Sequence, residues 1–258
     1  MSMTDSAQNI AICNESLGLL GAEEITVGAT TEQNHIYCTT FFDDARDEIL
    51  VAHKWNFAKK RAFAIQTTDP LFGYDNAYTP PSDYLKIVQI EEEPDAEFEV
   101  ENALILTDEG AAPSDWADET AYLVGEYITN DDVTFVCIAA HTSGDTDDEP
   151  GVGAETATYW TSQSGDFSIL KVEYIYQHTT FSTWPIYAKQ CLVLNLARML
   201  SSPIKQDETV SLNLQAMLWG SKKVIGYLDT ARSIDGMEGG AIRIKTASWL
   251  KARRTGRS

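Results

Sequence analysis

Four histidines, four cysteines and 39 carboxylates are the side chains with which this 258-residue chain could do chemistry, and their spacing decides which chemistry is open. His35, His53, His141 and His178 stand far apart and lack the His-Glu-x-x-His spacing that sets two imidazoles on one helical face for zinc. A lone histidine such as His53, beside an apolar helical face, is expected to be structural. Cys13, Cys38, Cys137 and Cys191 form no Cys-x-x-Cys pair, so free buried thiols are expected rather than disulfides or zinc ligands. Asp145, Asp147 and Glu149 copy the first ligand spacing of a calcium loop, but Pro150 stands where that loop needs glycine and its closing Glu is missing. That stretch reads as a solvated acidic loop. Gly220-Ser-Lys-Lys and Gly151-Val-Gly153 lack the further glycines of phosphate-binding loops, and there is no Gly-x-Ser-x-Gly elbow. The acids between 91 and 101 read as a solvated face rather than a glycosidase pair. The expectation is a protein that is not an enzyme and has no metal or cofactor.

What remains is binding, through charge and aromatic surface. The net charge is -20, but between Lys86 and Lys171 there is no Lys or Arg and there are 21 acids, leaving 19 bases against 18 acids elsewhere. Acidity therefore belongs to the middle of the chain. The last 16 residues carry Arg243, Lys245, Lys251, Arg253, Arg254 and Arg257 with no acid among them. In this basic tail Trp249 is expected to insert as an aromatic anchor while Lys251, Arg253 and Arg254 make charge-assisted bonds to an acidic partner; the alternative is an untethered solvated tail. Six cations would also attract phosphate, although the overall acidity opposes a nucleic-acid binder. No apolar run approaches the roughly 20 residues that span a bilayer, and MSMTDSAQN lacks the pattern of a signal peptide, so no membrane partner and folding in the cytoplasm are expected.

The elements that must position these residues follow from periodicity. Asp5 with Gln8 resembles a capping box, opening a first helix in which Ile10, Cys13, Leu17 and Leu20 step by three and four. Phe42, Ala45, Ile49 and Ala52 line one face of a second helix, with Asp43, Asp44, Arg46, Asp47 and Glu48 on the other; Lys59, Lys60 and Arg61 are expected in its last turn, against the negative end of the helix dipole. Residues 85–90 and 98–106 have strand composition and read as a hairpin turning at 91–95; residues 169–176 alternate and return to the same sheet. An apolar helix follows Pro185 and stops at Ser202 and Pro203. From Asp207 one long helix is expected, with Val210, Leu214, Met217, Ser221, Val224, Leu228 and Ala231 forming a seam of about six turns, ended by Asp235 and Gly236.

Residues 111–164 read as a separate module, with strand, turn and strand chemistry at 127–139 about Asn130, Asp131 and Asp132. It resembles the small chitin-binding-type carbohydrate modules in its leading Trp116, its Tyr122-x-x-Gly125 step, its hairpin, Pro150 and closing Trp160. That resemblance implies sugar contact through Trp116, Tyr122, Tyr127 and Trp160. The sequence leaves a second reading open, that such aromatics are the core of a domain with little else to bury.

In order along the chain, ICNESLGLLGAEEI, FFDDARDEILVAHKWNFAKKRA, PLFGYDNAYTPPSDYLKIVQI, FEVENALILTD, FSILKVEYIYQHTTFSTWPIYAKQCLVLNLARML, TARSIDGMEGG and SWLKARR resemble the tail tubular protein A family, the head-to-tail adaptors (gatekeeper type) of short-tailed bacteriophages. The resemblance covers nearly all the chain except 111–164. It implies a virion protein, assembled in the host cytoplasm, that forms a ring of about twelve copies by side-to-side contacts. Its implied partners are the portal protein, bound by Trp249, Lys251, Arg253 and Arg254, the tail nozzle protein, other copies of itself, and genome DNA passing through the channel. The alternative is a carbohydrate-binding surface protein whose module meets host-surface glycan. The expected fold class is α+β: a mainly helical bundle with a small antiparallel β part and an inserted small all-β module. The expected division is 1–110 and 165–236 for the two halves of the adaptor domain, 111–164 for the module and 237–258 for the tail.

Overall fold

The structure, a computed structural model, describes residues 6–67, 69–91, 96–144, 147–163, 168–222 and 224–238. Helix α1 (Ala7–Leu19) is capped by Ser6, whose hydroxyl accepts the Asn9 N–H at 3.3 Å; the expected cap, Asp5, lies outside the described residues. Helix α2 (Gln33–Ala52) buries Phe42, Ala45 and Ile49, as their spacing requires, together with Arg46. Arg46 was expected on the solvated face. It is only 3% exposed because its stem packs inward while Asp43 and Asp47 hold its Nη1 and Nε at 2.6 and 2.7 Å.

Helix α2 stops at Ala52, so Lys59, Lys60 and Arg61 are not its last turn. His53 is extended, and the chain folds back so that the fully buried Trp55 donates its indole N–H to the Ile49 carbonyl at 2.7 Å. Arg232 and Lys86 donate to the Ala52 and Val51 carbonyls. The open end of the helix is thus closed by side chains remote in sequence, and the local cations are released into strand β1 (Lys59–Gln66).

Strands β2 (Asn76–Thr79), β3 (Tyr84–Ile90), β4 (Phe98–Glu101) and β5 (Leu104–Thr107) come next. The expected hairpin of 85–90 with 98–106 does not form; most of its turn, 92–95, lies outside the described residues. Instead β4 and β5 form the hairpin, because Asn102 and Ala103 take φ of 47° and 60°, the left-handed pair that a two-residue turn between twisted strands needs. The module supplies β6 (Ser114–Asp115), β7 (Ala121–Tyr122), β8 (Tyr127–Asn130), β9 (Val133–Cys137), β10 (His141–Thr142), the short helix α3 (Thr156–Tyr159) and β11 (Trp160–Gln163). Its β8–β9 hairpin turns at Asp131 and Asp132, both left-handed. Strand β12 (Ile169–Tyr176) then enters the main sheet, whose order is β3-β12-β1-β2-β5-β4, antiparallel throughout.

Helix α4 (Ile186–Lys205) runs through Pro203 rather than stopping before it and ends at Gln206, which is left-handed. The expected long helix after Asp207 is two, α5 (Glu208–Trp219) and α6 (Tyr227–Glu238). Its seam continues in sequence, but the connection packs so closely that a Cβ on Gly226 would overlap the backbone of Gly220 and Trp219. Only glycine permits this turn, and Met217 and Val224, expected in the seam, are left 54% and 61% exposed.

The fold class is therefore corrected. About 39% of the chain is helix and 26% strand, and the strands are organised in antiparallel sheets, so this is a mixed α/β fold and not a mainly helical bundle. The six-stranded sheet escaped the periodicity because β1 was absorbed into a helix, β2 is short, and β12 joins from beyond the module. Three cores result. The largest joins α1, α2, α4, α5 and α6 and reaches the sheet through Val88 and Ile175; a second is built by sheet residues including Ala64, Tyr78, Ile105 and Val172; a third, of Tyr122, Ile128, Phe135, Cys137 and Trp160, belongs to the module alone.

Leu196 on α4 is fully buried in the largest core. Leu196→Ala is expected to cost about 2–5 kcal/mol, read from the urea midpoint, and Leu196→Asp is expected not to fold. A Leu196→Asp protein that melts normally would refute this packing.

Candidate functional site

The clearest polar constellation gathers where α6, α4 and the α2–β1 junction meet. Asp235 of α6 is 1% exposed. Its carboxylate accepts the Asn56 backbone N–H at 3.0 and 3.3 Å and the Tyr187 hydroxyl at 3.1 Å, and His53 Nε2 lies 3.3 Å away. Asn56 Nδ2 in turn donates to the Asp235 carbonyl at 2.7 Å. Glu238 also comes within 3.0 Å of the Tyr187 hydroxyl, whose pKa is raised by burial and then by the Asp235 charge. Sequence reading gave Asp235 only the role of ending a helix. Nothing local marks it otherwise, since its partners lie 48 and more residues away. The arrangement is a latch: it fixes the last described helix to the body immediately before the basic tail.

The tail residues Trp249, Lys251, Arg253 and Arg254 lie outside the described residues. Of the four module aromatics, Tyr122 and Trp160 are 5% and 2% exposed and present no ring face to a ligand. The Tyr122 hydroxyl accepts the Ala117 N–H and donates to the Ala117 carbonyl, while the Trp160 indole donates to the Asp148 carbonyl. Trp116 and Tyr127 are half-buried, Trp116 packing on the module core and Tyr127 standing edge-on to Phe63 of β1, 6.1 Å between centroids. The four therefore do not share one exposed platform. Tyr127 instead looks into a groove of about 680 Å³ between module and main sheet, which Arg61, Phe63, Pro81, Leu123 and Val124 also line. Arg61 in that groove is already engaged by Glu91 and Glu173.

Two side-chain pairs have the elements of a nucleophile and a base, and neither is poised for the task. His178 Nδ1 accepts the Thr180 N–H, so its proton sits on Nε2, 2.9 Å from Thr183 Oγ1. The Thr183 hydroxyl gives its own proton to the Thr180 carbonyl, so it accepts from the imidazole and cannot lose a proton to it. In the module, Cys137 and His141 both donate to the Ala139 carbonyl, and burial pushes the Cys137 thiol up. All four cysteines are buried and free; the hydrogen bond to Cys38, with burial, pushes the Cys13 thiol up. Among the described residues no cluster of three or more His, Cys, Asp or Glu could hold a metal ion, and no helix is long and apolar enough to cross a membrane. Comparison with known protein families and with curated proteins finds no match.

Removing the latch carboxylate by Asp235→Ala leaves the buried Asn56 N–H without its acceptor and the Tyr187 hydroxyl with Glu238 alone, and is expected to cost about 2–4 kcal/mol in urea unfolding, against about 1 kcal/mol for Tyr187→Phe. Equal small losses would refute the latch. The histidines give a pH signature. Burial lowers the pKa of His53 and of His178 from 6.5, with the Lys60 charge adding to the effect at His178. A depressed folded pKa means that the unfolded chain binds more protons below 6.5, so stability present above that value is lost as the pH falls beneath it. The melting temperature is expected to drop between pH 7.5 and 5.5, and a His53→Gln, His178→Gln protein to lose much of that drop; an unchanged drop would refute the assignment.

Proposed function

We propose that the protein is a structural head-to-tail adaptor of a virion, assembling with copies of itself into a ring that joins a portal to a tail nozzle and lets DNA pass. The observation that carries this reading is the coupling of the latch to the tail. Helix α6, held by the buried Asp235, leads within a few residues into a segment with six cations and no acid. A rigid base beneath a basic, Trp-bearing segment is what a docking arm requires, because holding the base lowers the entropic cost of engagement.

Two further features support it. Large apolar side chains are exposed in succession along α5, the connection and α6, namely Leu212, Met217, Val224, Ile225 and Met237, which suits burial between neighbouring copies. The acidic module leaves and rejoins the body at one point, where Ala111 and Ile169 exchange two backbone hydrogen bonds of 3.1 and 2.8 Å. It can therefore project from a ring without interrupting the sheet. Its 11 acids between Asp115 and Glu155, with no base, would repel those of adjacent copies if packed against them.

Electron microscopy of the purified protein mixed with portal is expected to show a ring stacked on the portal. Replacing Trp249, Lys251, Arg253 and Arg254 together by Ala should weaken co-sedimentation with portal about thirtyfold or more, with the wild-type affinity falling as salt rises. Undiminished binding by that variant, or the absence of any stacked ring, would overturn the reading.

A further inference from the structure

Strand β4 ends the main sheet, and among the described residues nothing pairs with its outer side. In the tight β4–β5 hairpin the closing pair Glu101–Leu104 and the pair Glu99–Leu106 direct their backbone groups at each other, so those of Phe98 and Val100 point outward. Such an edge is a template for one more strand. Its side chains specify what that strand must carry. Phe98 packs on the sheet core and Val100, on the same face, is 45% exposed, while Glu99 and Glu101 are exposed on the other face. The phenol of Tyr74 is pushed up by desolvation and then by Glu99, Glu97, Asp108 and Glu101, which places four carboxylates in one negative field. None of the four is ion-paired among the described residues.

An incoming strand must therefore alternate apolar residues with cations. The basic tail does so at Ile242, Arg243, Ile244 and Lys245. We propose that residues 242–245 of one copy add as a further strand to β4 of a neighbouring copy. In a parallel ladder Ile242, Arg243, Ile244 and Lys245 face Phe98, Glu99, Val100 and Glu101. The antiparallel ladder keeps Ile244 on Val100 and sets Arg243 and Lys245 on Glu101 and Glu99. Opposite charges and apolar pairs directly across a ladder each stabilise it.

The occupant comes from another copy because the chain is too short to reach its own β4. Asp235 sits beside Asn56, and from there to Val100 the path follows the length of β1 and crosses three strands, roughly 30 Å. The nine residues from Asp235 to Ile244, three of them helical, span at most about 25 Å even before any detour around the sheet. A tail passed to the next copy in one sense makes a heterologous contact, the kind that closes into a ring. The proposal rests on the self-assembly half of the adaptor reading and needs no portal.

The test uses the full chain with Val100→Cys and Ile244→Cys, positions that face each other in both ladders; the four native cysteines are buried and give little background. Mild oxidation is expected to produce covalently linked oligomers on a non-reducing denaturing gel. A cross-link within single chains, or none, would overturn the proposal. In a second arm, Glu99→Lys with Glu101→Lys, and separately Arg243→Glu with Lys245→Glu, should each weaken self-association at least about tenfold by sedimentation velocity, and the four changes combined should restore most of it. Unchanged association in either pair, or no recovery in the combination, would overturn the strand exchange while a portal-bound ring left the adaptor reading standing. Wild-type protein that neither self-associates nor binds portal would overturn both.

Discussion

Strand β12 makes backbone ladders along both of its sides, to β1 from Lys59 to Ile65 and to β3 from Tyr84 to Ile90, and so joins β3 to the rest of the sheet. Its side chains serve both faces: Leu170, Val172 and Tyr174 enter the core made by the sheet, and Ile175 enters the helical core. Between them Glu173 is only 4% exposed and is held by Arg61 at 2.7 Å and Lys59 at 3.4 Å. A carboxylate so buried would be costly unpaired, so the two cations of β1 fix the register of the neighbouring strand as well as the charge. The ends of the module close on this same strand through Ile169 and Ala111. One strand thus carries the sheet, the seam with the helices and the base of the inserted domain.

Charge is segregated around that frame. The acids without bases among them lie between Lys86 and Lys171, in the module and on β4, the Asp235 latch holds the helix that precedes the cations, and the α5–α6 connection exposes apolar surface nearby in sequence. His178 accepts the Thr180 N–H and Thr183 donates to the Thr180 carbonyl, while Cys137 and His141 both donate to the Ala139 carbonyl, so each pair braces its own loop. The surface features that this leaves are a fixed base before the basic segment, an acidic sheet edge without a strand partner among the described residues, and a module joined to the sheet by a two-bond neck and the Tyr127–Phe63 contact.

Much of this was legible in the sequence, for physical reasons. Helix α1, the inward face of α2 and the buried α4 follow from apolar steps of three and four, because a helix with one solvated side must repeat that way. The module hairpin follows from Asn130-Asp131-Asp132, residues that tolerate left-handed backbone. The division of charge along the chain could be counted directly. What the sequence could not decide were the matters settled by partners distant along it. Lys59, Lys60 and Arg61 look like helix-ending cations until Trp55, Lys86 and Arg232 take the carbonyls of α2 and leave them to a strand. The seam after Asp207 is continuous on paper and broken in space, because only the approach of Gly226 to Gly220 reveals the turn. Tyr122 and Trp160 could have been a sugar platform or a core, and burial, which is a property of the folded chain, made them core. Asp235 shows the same rule at the latch: a carboxylate's neighbours, and hence its role, are chosen by the tertiary structure and not by the residues beside it.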